Sequence, residues 1–439
     1  MVMKKRNVKV DVITMGCSKN LVDSEFLIRQ FKAGGFDVSH DPEVSTGDVV
    51  IVNTCGFIGD AKEESIETIL QFADARQRGE VKQLIVMGCL SERYMKDLKG
   101  ELPEVDRFYG KFDWKAIVND LGLDYRADLR NERSLTTPNH YAFLKISEGC
   151  NRGCSYCAIP LITGKHASRS IEDLKDEVKR LRDQGVRELQ VVAQDLSYYG
   201  MDLYNQLSLP KLIDEIAGID GIDWIRLHYA YPAGFPEDVM RVMRDHSNVC
   251  NYMDIALQHI SNPMLKRMRR GVTESQTREL IEKMRSIVPG LHLRTTFIAG
   301  HPGETEEDFE LLKAFVKDAK FERMGVFPYS HEEDTYAFNN YKDDVPEDVK
   351  QSRTDELMAL QAEVSRHVNE AKVGQVLKVI IDRKEGDQFI GRTEFDSPEV
   401  DPEVIITSEE LEIGQFYQVK ITGAEDYDLM GEVVKLKIV

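Results

Sequence analysis

Three cysteines in the run Glu148-Gly-Cys-Asn-Arg-Gly-Cys-Ser-Tyr-Cys-Ala158 constrain this chain more than any other feature. Cys150, Cys154 and Cys157 follow Cys-x3-Cys-x2-Cys spacing, with Tyr156 just before the last thiol. A loop that brings three thiolates to one point can hold three irons of a four-iron cluster and leave the fourth iron open. An open iron can chelate the amino and carboxylate groups of S-adenosylmethionine and pass it an electron. A closed zinc site needs a fourth ligand, and zinc ligands usually come in closely spaced pairs. No fourth cysteine lies nearby, and His166, nine residues beyond Cys157, has no partner in the local sequence.

Three more cysteines recur at strand ends. Residues 8–15, 48–53 and 82–87 read as strands, ending at Gly16-Cys17, Thr54-Cys55-Gly56 and Gly88-Cys89. Helical stretches at about 20–34 and 60–78 lie between them, with Ile66, Ile69, Leu70 and Phe72 at helical spacing. Such alternation predicts a doubly wound parallel sheet. The carboxyl ends of its strands line the ligand crevice, so the fold gathers Cys17, Cys55 and Cys89 at one edge. Neighbouring glycines let the backbone approach a bulky cofactor. Buried cysteines at strand ends are common singly; their threefold recurrence points to a second iron–sulfur cluster with three protein ligands. The seventh, Cys250, has no thiol near it in sequence and reads as a small buried hydrophobe.

From about Arg133 to Glu370 strands and helices alternate again. Candidate strands are Tyr141–Ser147, Glu188–Ala193, Trp224–His228, Tyr252–Ala256, His292–Ile298 and Arg323–Phe327. Six repeats predict an incomplete parallel barrel with its chemistry at the strand C-termini, and the cysteine triplet follows the first strand. Val192-Ala-Gln-Asp195 closes the second strand, and Arg294 opens the polar run that closes the fifth. A guanidinium there suits a carboxylate, which it grips bidentately. Leu257-Gln-His259 and Met268-Arg-Arg-Gly271 stand out without an assignable chemistry. Residues 351–371 read as a polar helix. Alternating runs at 375–382, 388–395, 403–407, 416–422 and 431–438 then predict a small all-β barrel.

The triplet with its aromatic resembles the signature of the radical S-adenosylmethionine enzymes. With the three N-terminal cysteines, the chain is similar to the methylthiotransferases, and its tail looks like a TRAM module. The resemblance covers essentially the whole chain. It implies an α/β multidomain protein: a doubly wound N-terminal domain at 1–130, a partial (β/α)6 radical core at 131–371 and a TRAM barrel at 372–439. It also implies two [4Fe-4S] clusters, one on Cys17, Cys55 and Cys89 and one on Cys150, Cys154 and Cys157. S-adenosylmethionine is then expected to meet Tyr156, Gln194, Asp195 and Arg294. The family pattern Gly-x-Ile-x-Gly-x-x-Glu is altered: Thr296 replaces the first glycine, and Glu304 comes one residue late.

The run Gly16-Cys-Ser-Lys-Asn-Leu-Val-Asp-Ser-Glu25 resembles the branch acting on the twelfth protein of the small ribosomal subunit. That branch modifies the β-carbon of one aspartate. The transfer-RNA branch, which acts on adenosine, usually carries Gly-Cys-Gln-Met-Asn there. In either branch a 5′-deoxyadenosyl radical abstracts hydrogen, and sulfur arrives from the side of the N-terminal cysteines. A second S-adenosylmethionine provides the methyl group, and a flavodoxin or ferredoxin is the implied electron donor.

Charge bears on the choice of substrate. The chain carries a net −19, whereas generic nucleic-acid binders present a basic field. From Lys372 to Val439 there are 8 Lys+Arg and 15 Asp+Glu, a net of −7. The stretch Glu394–Glu403 is acidic almost throughout, which favours a basic protein partner. A hydrophobic content of 42% with 30% charged residues is ordinary for a soluble protein. No apolar run reaches the length of a membrane span, and Asp11 interrupts the stretch a signal peptide would need. The expectation is a cytoplasmic protein with no membrane partner, its cysteines serving metal or redox chemistry rather than disulfides.

Overall fold

In the computed structural model, which describes residues 8–408 and 410–435, the run Val49–Thr54 is buried at every position. That is the pattern of a strand covered on both faces. The first sheet contains β1 (Lys9–Thr14), β2 (Asp37–His40), β3 (Val49–Thr54), β4 (Gln83–Gly88) and β5 (Arg107–Phe108). All its pairings are parallel, in the order β2-β1-β3-β4-β5. On one face, Leu27, Ile28 and Phe31 of α1 (Ser18–Ala33) pack with Val12, Ile51 and Ile85. On the other, Ile69 and Ala73 of α2 (Gly59–Gln77) join Leu90 and Leu98 of α3 (Cys89–Glu101) over Val50, Val52 and Val86. The sheet is doubly wound, as its alternating pattern predicts.

Register fixes the cysteines. Thr14 pairs with Asn53 and Thr54 with Gly88, so β1, β3 and β4 end side by side. Cys17, Cys55 and Cys89 follow at that shared edge. Two glycines make the approach possible. At Gly16 (φ 85°) a Cβ would stand 2.7 Å from Cys55 Cβ, and at Gly88 (φ 101°) it would stand 2.6 Å from the Thr54 backbone.

The second sheet holds all six strands read from the sequence. It comprises β6 (Tyr141–Lys145), β9 (Glu188–Val192), β10 (Trp224–Ala230), β11 (Val249–Ile255), β12 (His292–Ala299) and β13 (Arg323–Pro328). Each pairs in parallel with its neighbour in chain order, and β6 and β13 remain as edges, so the barrel is incomplete. Leu189, Leu227, Met253 and Phe297 fill its core against outer helices through Val178, Leu212 and Phe309. A short antiparallel ribbon of β7 (Ser147–Glu148) and β8 (Ala167–Ser168) pins both ends of the cysteine loop.

The C-terminal strands close into a barrel in the order β14-β15-β16-β18-β17. They are β14 (Val376–Glu385), β15 (Gln388–Thr393), β16 (Val404–Thr407), β17 (Phe416–Ala424) and β18 (Leu429–Lys435). The end of the last expected strand, 436–438, lies outside the described residues. This barrel docks where the core strands begin. Ile380 and Phe416 pack against Trp224, Cys250 and Tyr252, so Cys250 is a small buried side chain at an interdomain contact. Beside it, buried Glu188 accepts from Arg392 at 2.7 Å and from Arg226 at 3.0 Å, and Arg392 also reaches Asp382 at 2.7 Å.

The acidic stretch also has contacts within the molecule. Each of its five carboxylates is satisfied within the molecule. Glu394 accepts from the Asn251 amide (3.3 Å), Asp396 pairs with Arg323 (2.5 Å), and Glu399 accepts from the Tyr141 hydroxyl (2.8 Å). Asp401 takes Arg294 (3.2 Å) and the Tyr252 hydroxyl (2.7 Å), and Glu403 takes Arg383 (2.5 Å). Through Glu394, Asp396, Glu399 and Asp401 the segment fastens the small barrel to the core, while Glu403 pairs within the barrel. The reason is topological: docking at the strand starts brings Arg294 and Arg323 against it.

Burial opposes ionisation of Asp382, but Arg392 and His140 outweigh it and hold the carboxyl at about 2. Its stabilising contribution is therefore present above the unfolded value of about 3.9 and fades as pH falls toward 2. Glu188→Gln leaves two buried guanidiniums short of their counter-charge, a loss of about 3–5 kcal/mol. The expected readouts are a lower thermal midpoint and faster proteolysis near residue 372. An unchanged midpoint would show that the interface does not depend on this carboxylate.

Candidate active site

Asn20, on the first turn of α1, organises the N-terminal trio. Its amide donates to the Met15 and Thr54 carbonyls at 3.2 and 3.0 Å, which ties the ends of β1 and β3 together. Its Oδ1 accepts from Lys111 Nζ (3.0 Å) and lies 3.4 Å from Cys89 Sγ. Cys55 is fixed by a reciprocal pair of 3.0 Å hydrogen bonds with Ser65 Oγ, from its amide and to its carbonyl. The three thiols are electrostatically unequal. Burial pushes Cys89 up to about 12 and also raises Cys55. At Cys17 burial acts in the same direction, but Lys19, Lys111 and the first amides of α1 overcome it and lower the thiol. Cys17 is exposed and sits at a helix start, which favours the thiolate.

The second trio lies on the loop after β7. The Arg152 amide donates to Cys150 Sγ at 3.4 Å, and the Cys157 amide to the Cys154 carbonyl at 3.3 Å. Burial pushes Cys150 up to about 11 and Cys157 up to about 12. Such sulfurs stay protonated at neutral pH unless a positively charged metal centre displaces the protons. Three soft donors per site, with no carboxylate among them, suit iron–sulfur chemistry. Among the described residues, no set of three His, Cys, Asp or Glu side chains closes around a single metal ion.

The other candidate residues are spread around the core. Tyr156 accepts from Arg270 Nη1 at 3.1 Å, and the same nitrogen donates to Cys154 Sγ at 3.3 Å. Gln194, just past β9, donates to Glu148. Asp195 accepts from Arg152 Nε (2.7 Å) and the Ser197 amide (2.8 Å). Arg294 lies farther back on β12, between Asp254 at 3.5 Å and Asp401 at 3.2 Å. The structure thus places Tyr156, Gln194 and Asp195 around the cysteine loop, whereas Arg294 is engaged by two of the protein's own carboxylates.

A buried contact joins the two trios. Cys89 packs directly against Ala158 and Ile162, the residues that follow Cys157. Beneath it, Asp23 accepts from Lys111 at 2.9 Å and from Lys145 of β6, and Lys145 also reaches Glu148 at 2.8 Å. Burial opposes charge on Glu148, but Lys145 and Lys111 hold it down at about 2. Sequence reasoning missed Asn20, Lys111, Glu148 and Arg270 as site residues. Asn20, Glu148 and Arg270 lay in runs that stood out, 16–25, 148–158 and 268–271, whereas Lys111 had no signal.

Comparison with known proteins agrees with this layout. Residues 144–316 match the radical SAM superfamily, 373–434 the TRAM domain, and 9–110 an uncharacterised protein family, UPF0004. Among solved structures, the radical S-adenosylmethionine methyltransferase TsrM from Kitasatospora setae superposes with a TM-score of 0.54. It is 15% identical, over 74% of this chain and 75% of that one. The cobalamin-dependent radical enzyme OxsB gives a TM-score of 0.52 at 12% identity, over 81% and 56%. Fold and site define a radical S-adenosylmethionine enzyme, a class built on a [4Fe-4S] cluster and S-adenosylmethionine.

Full-length relatives narrow the class. The ribosomal protein uS12 methylthiotransferase RimO of Bacteroides thetaiotaomicron is 61% identical over 98% of this chain and 99% of its own. Its counterpart in Phocaeicola vulgatus is 60% identical over 98% and 100%, and that of Flavobacterium johnsoniae 52% identical over 98% of each. The chain belongs to the RimO family of radical methylthiotransferases. Among the described residues no helix is long and apolar enough to cross a membrane.

Arg270 is buried and donates to Cys154 Sγ. Arg270→Met removes a positive charge and a charge-assisted hydrogen bond, which stabilise added electron density. A cluster held by the 150–157 thiols would then show a reduction potential lower by on the order of 50–100 mV, measured by EPR-monitored titration. An unchanged potential with normal iron content would show that this contact does not tune the centre.

Proposed function

We propose that this chain transfers a methylthio group to the β-carbon of an aspartate in ribosomal protein uS12. The observation that carries the reading is the packing of Cys89 against Ala158, which abuts one thiol trio on the other across the interface of two domains. Cys150, Cys154 and Cys157 are the proposed ligands of the radical centre, and Cys17, Cys55 and Cys89 those of a second four-iron centre on the sulfur side. Bound there, the cofactors supply a 5′-deoxyadenosyl radical and a transferable sulfur and methyl group, chemistry no side chain provides.

The protein's own groups position and enclose. Tyr156, Gln194 and Asp195 line the cofactor side, fixed by Arg270, Glu148 and Arg152 respectively. Arg294 serves as a cofactor contact only by exchanging Asp254 or Asp401 for the cofactor carboxylate. Segments 1–130, 131–371 and 372–439 are the sulfur-side, radical and TRAM modules. The reductant is a flavodoxin- or ferredoxin-type donor, and the compartment is the cytoplasm, where uS12 is made.

Reconstituted enzyme offered uS12 and transfer RNA in parallel should add one methylthio group to the protein alone, seen by mass spectrometry. Methylthiolated RNA with unmodified protein would reverse the substrate assignment. Cys154→Ala should abolish 5′-deoxyadenosine formation. Cys55→Ala should spare cofactor cleavage and stop sulfur insertion. Equal loss of cleavage in two folded variants would contradict the division of roles.

A further inference from the structure

Most cations around the two trios are already committed. Arg152, Lys111, Lys145 and Arg294 each pair with a carboxylate. Arg270 places its donors on Cys154, Tyr156 and the Ala256 carbonyl. Lys19 is different. Among the described residues its ammonium makes no direct ion pair and rests on the ring of Tyr229, 3.7 Å from the centroid, in the field of Cys17 and Glu148. The chain has 76 acidic residues against 57 basic ones, so an unpaired ammonium here does not reflect a shortage of carboxylates.

Its place in the fold is informative. Lys19 lies two residues past Cys17 on the first turn of α1 and reaches across to Tyr229, where β10 ends. Its charge is felt by His228 and Asp254, inside the mouth of the core barrel. Tyr229 holds φ at 64°, a left-handed conformation that is strained for a non-glycine residue, and its ring stays partly exposed beneath the ammonium. An aromatic face holds a cation more weakly than a carboxylate does when both are desolvated, so the contact can be exchanged.

We propose that Lys19 binds the side-chain carboxylate of the substrate aspartate, giving up the Tyr229 ring to do so. This rests on the function proposed above and names the residue that makes it selective. The β-carbon is one bond from the carboxylate carbon, so gripping the carboxylate beside Cys17 holds that carbon between the two trios. A neutral amide or a nucleobase offers the ammonium no counter-charge.

The test uses full-length reconstituted enzyme with iron and sulfide matched between variants, and labelled uS12 carrying either aspartate or asparagine at the target position. Fluorescence anisotropy reads affinity, and steady-state assays separate KM from kcat on the aspartate form. Wild type should bind the aspartate form about tenfold tighter. Lys19→Met should erase that preference and raise KM about tenfold, and Lys19→Arg should keep most of it. A Lys19→Met enzyme that still prefers aspartate, or a wild type with no preference, overturns the proposal while leaving the function intact. A wild type that never modifies uS12 sinks both, and the wild-type arm alone reveals it.

Discussion

Asp23 is the carboxylate on which the arrangement of this molecule turns. It sits on α1 of the first domain and accepts both Lys111 from its own domain and Lys145 from the first strand of the core. All three side chains are almost wholly buried. Two ammoniums in a low-dielectric interior persist only with a matched counter-charge, so the two domains cannot separate without exposing or orphaning one of them. The same link sets the register of the site. Lys145 continues to Glu148, Glu148 to Gln194, and Lys111 to Asn20, which gathers the strand ends that carry the N-terminal thiols. Electrostatics at the interface and geometry at the thiols are one network.

The small C-terminal barrel is held by similar means at the opposite end of the core strands. Arg392, Asp401 and Asp396 interlock with Glu188, Arg294 and Arg323 of the core, while Arg383 pairs within the barrel. The family assignment therefore rests on sequence identity and on the site, and the acidity of Glu394–Glu403 bears on domain docking. The net charge of −19 remains a property of the whole molecule, and it still disfavours long-range attraction to a polyanion.

What could be read from the sequence was what local pattern encodes. The six core strands, the three strand-end cysteines and the five barrel strands each announce themselves within a dozen residues, through hydrophobic alternation, turn residues and thiol spacing. Missed elements were short or abrupt. β2 is half-exposed, β5 spans two residues, and α3 begins directly at Cys89 without a side-chain cap. The site's supporting groups were missed for a different reason. Lys111 meets Asp23 across 88 residues and Lys145 meets it across 122, and no periodicity connects positions so far apart. The contacts of the acidic stretch were not legible because composition reports charge but not which way it faces. Lys19 lay in plain view beside Cys17, yet its unpaired state is visible only once the core is folded against it.

The proposed sulfur transfer requires two iron–sulfur centres standing close across the domain interface. Low-temperature EPR of fully reduced, reconstituted enzyme tests this directly, because two nearby paramagnetic clusters split and broaden each other's signals. The predicted spectrum departs from the sum of the singly reduced centres and simplifies when either trio is removed. A spectrum equal to that simple sum, with both clusters present, would place the centres too far apart for sulfur to pass between them.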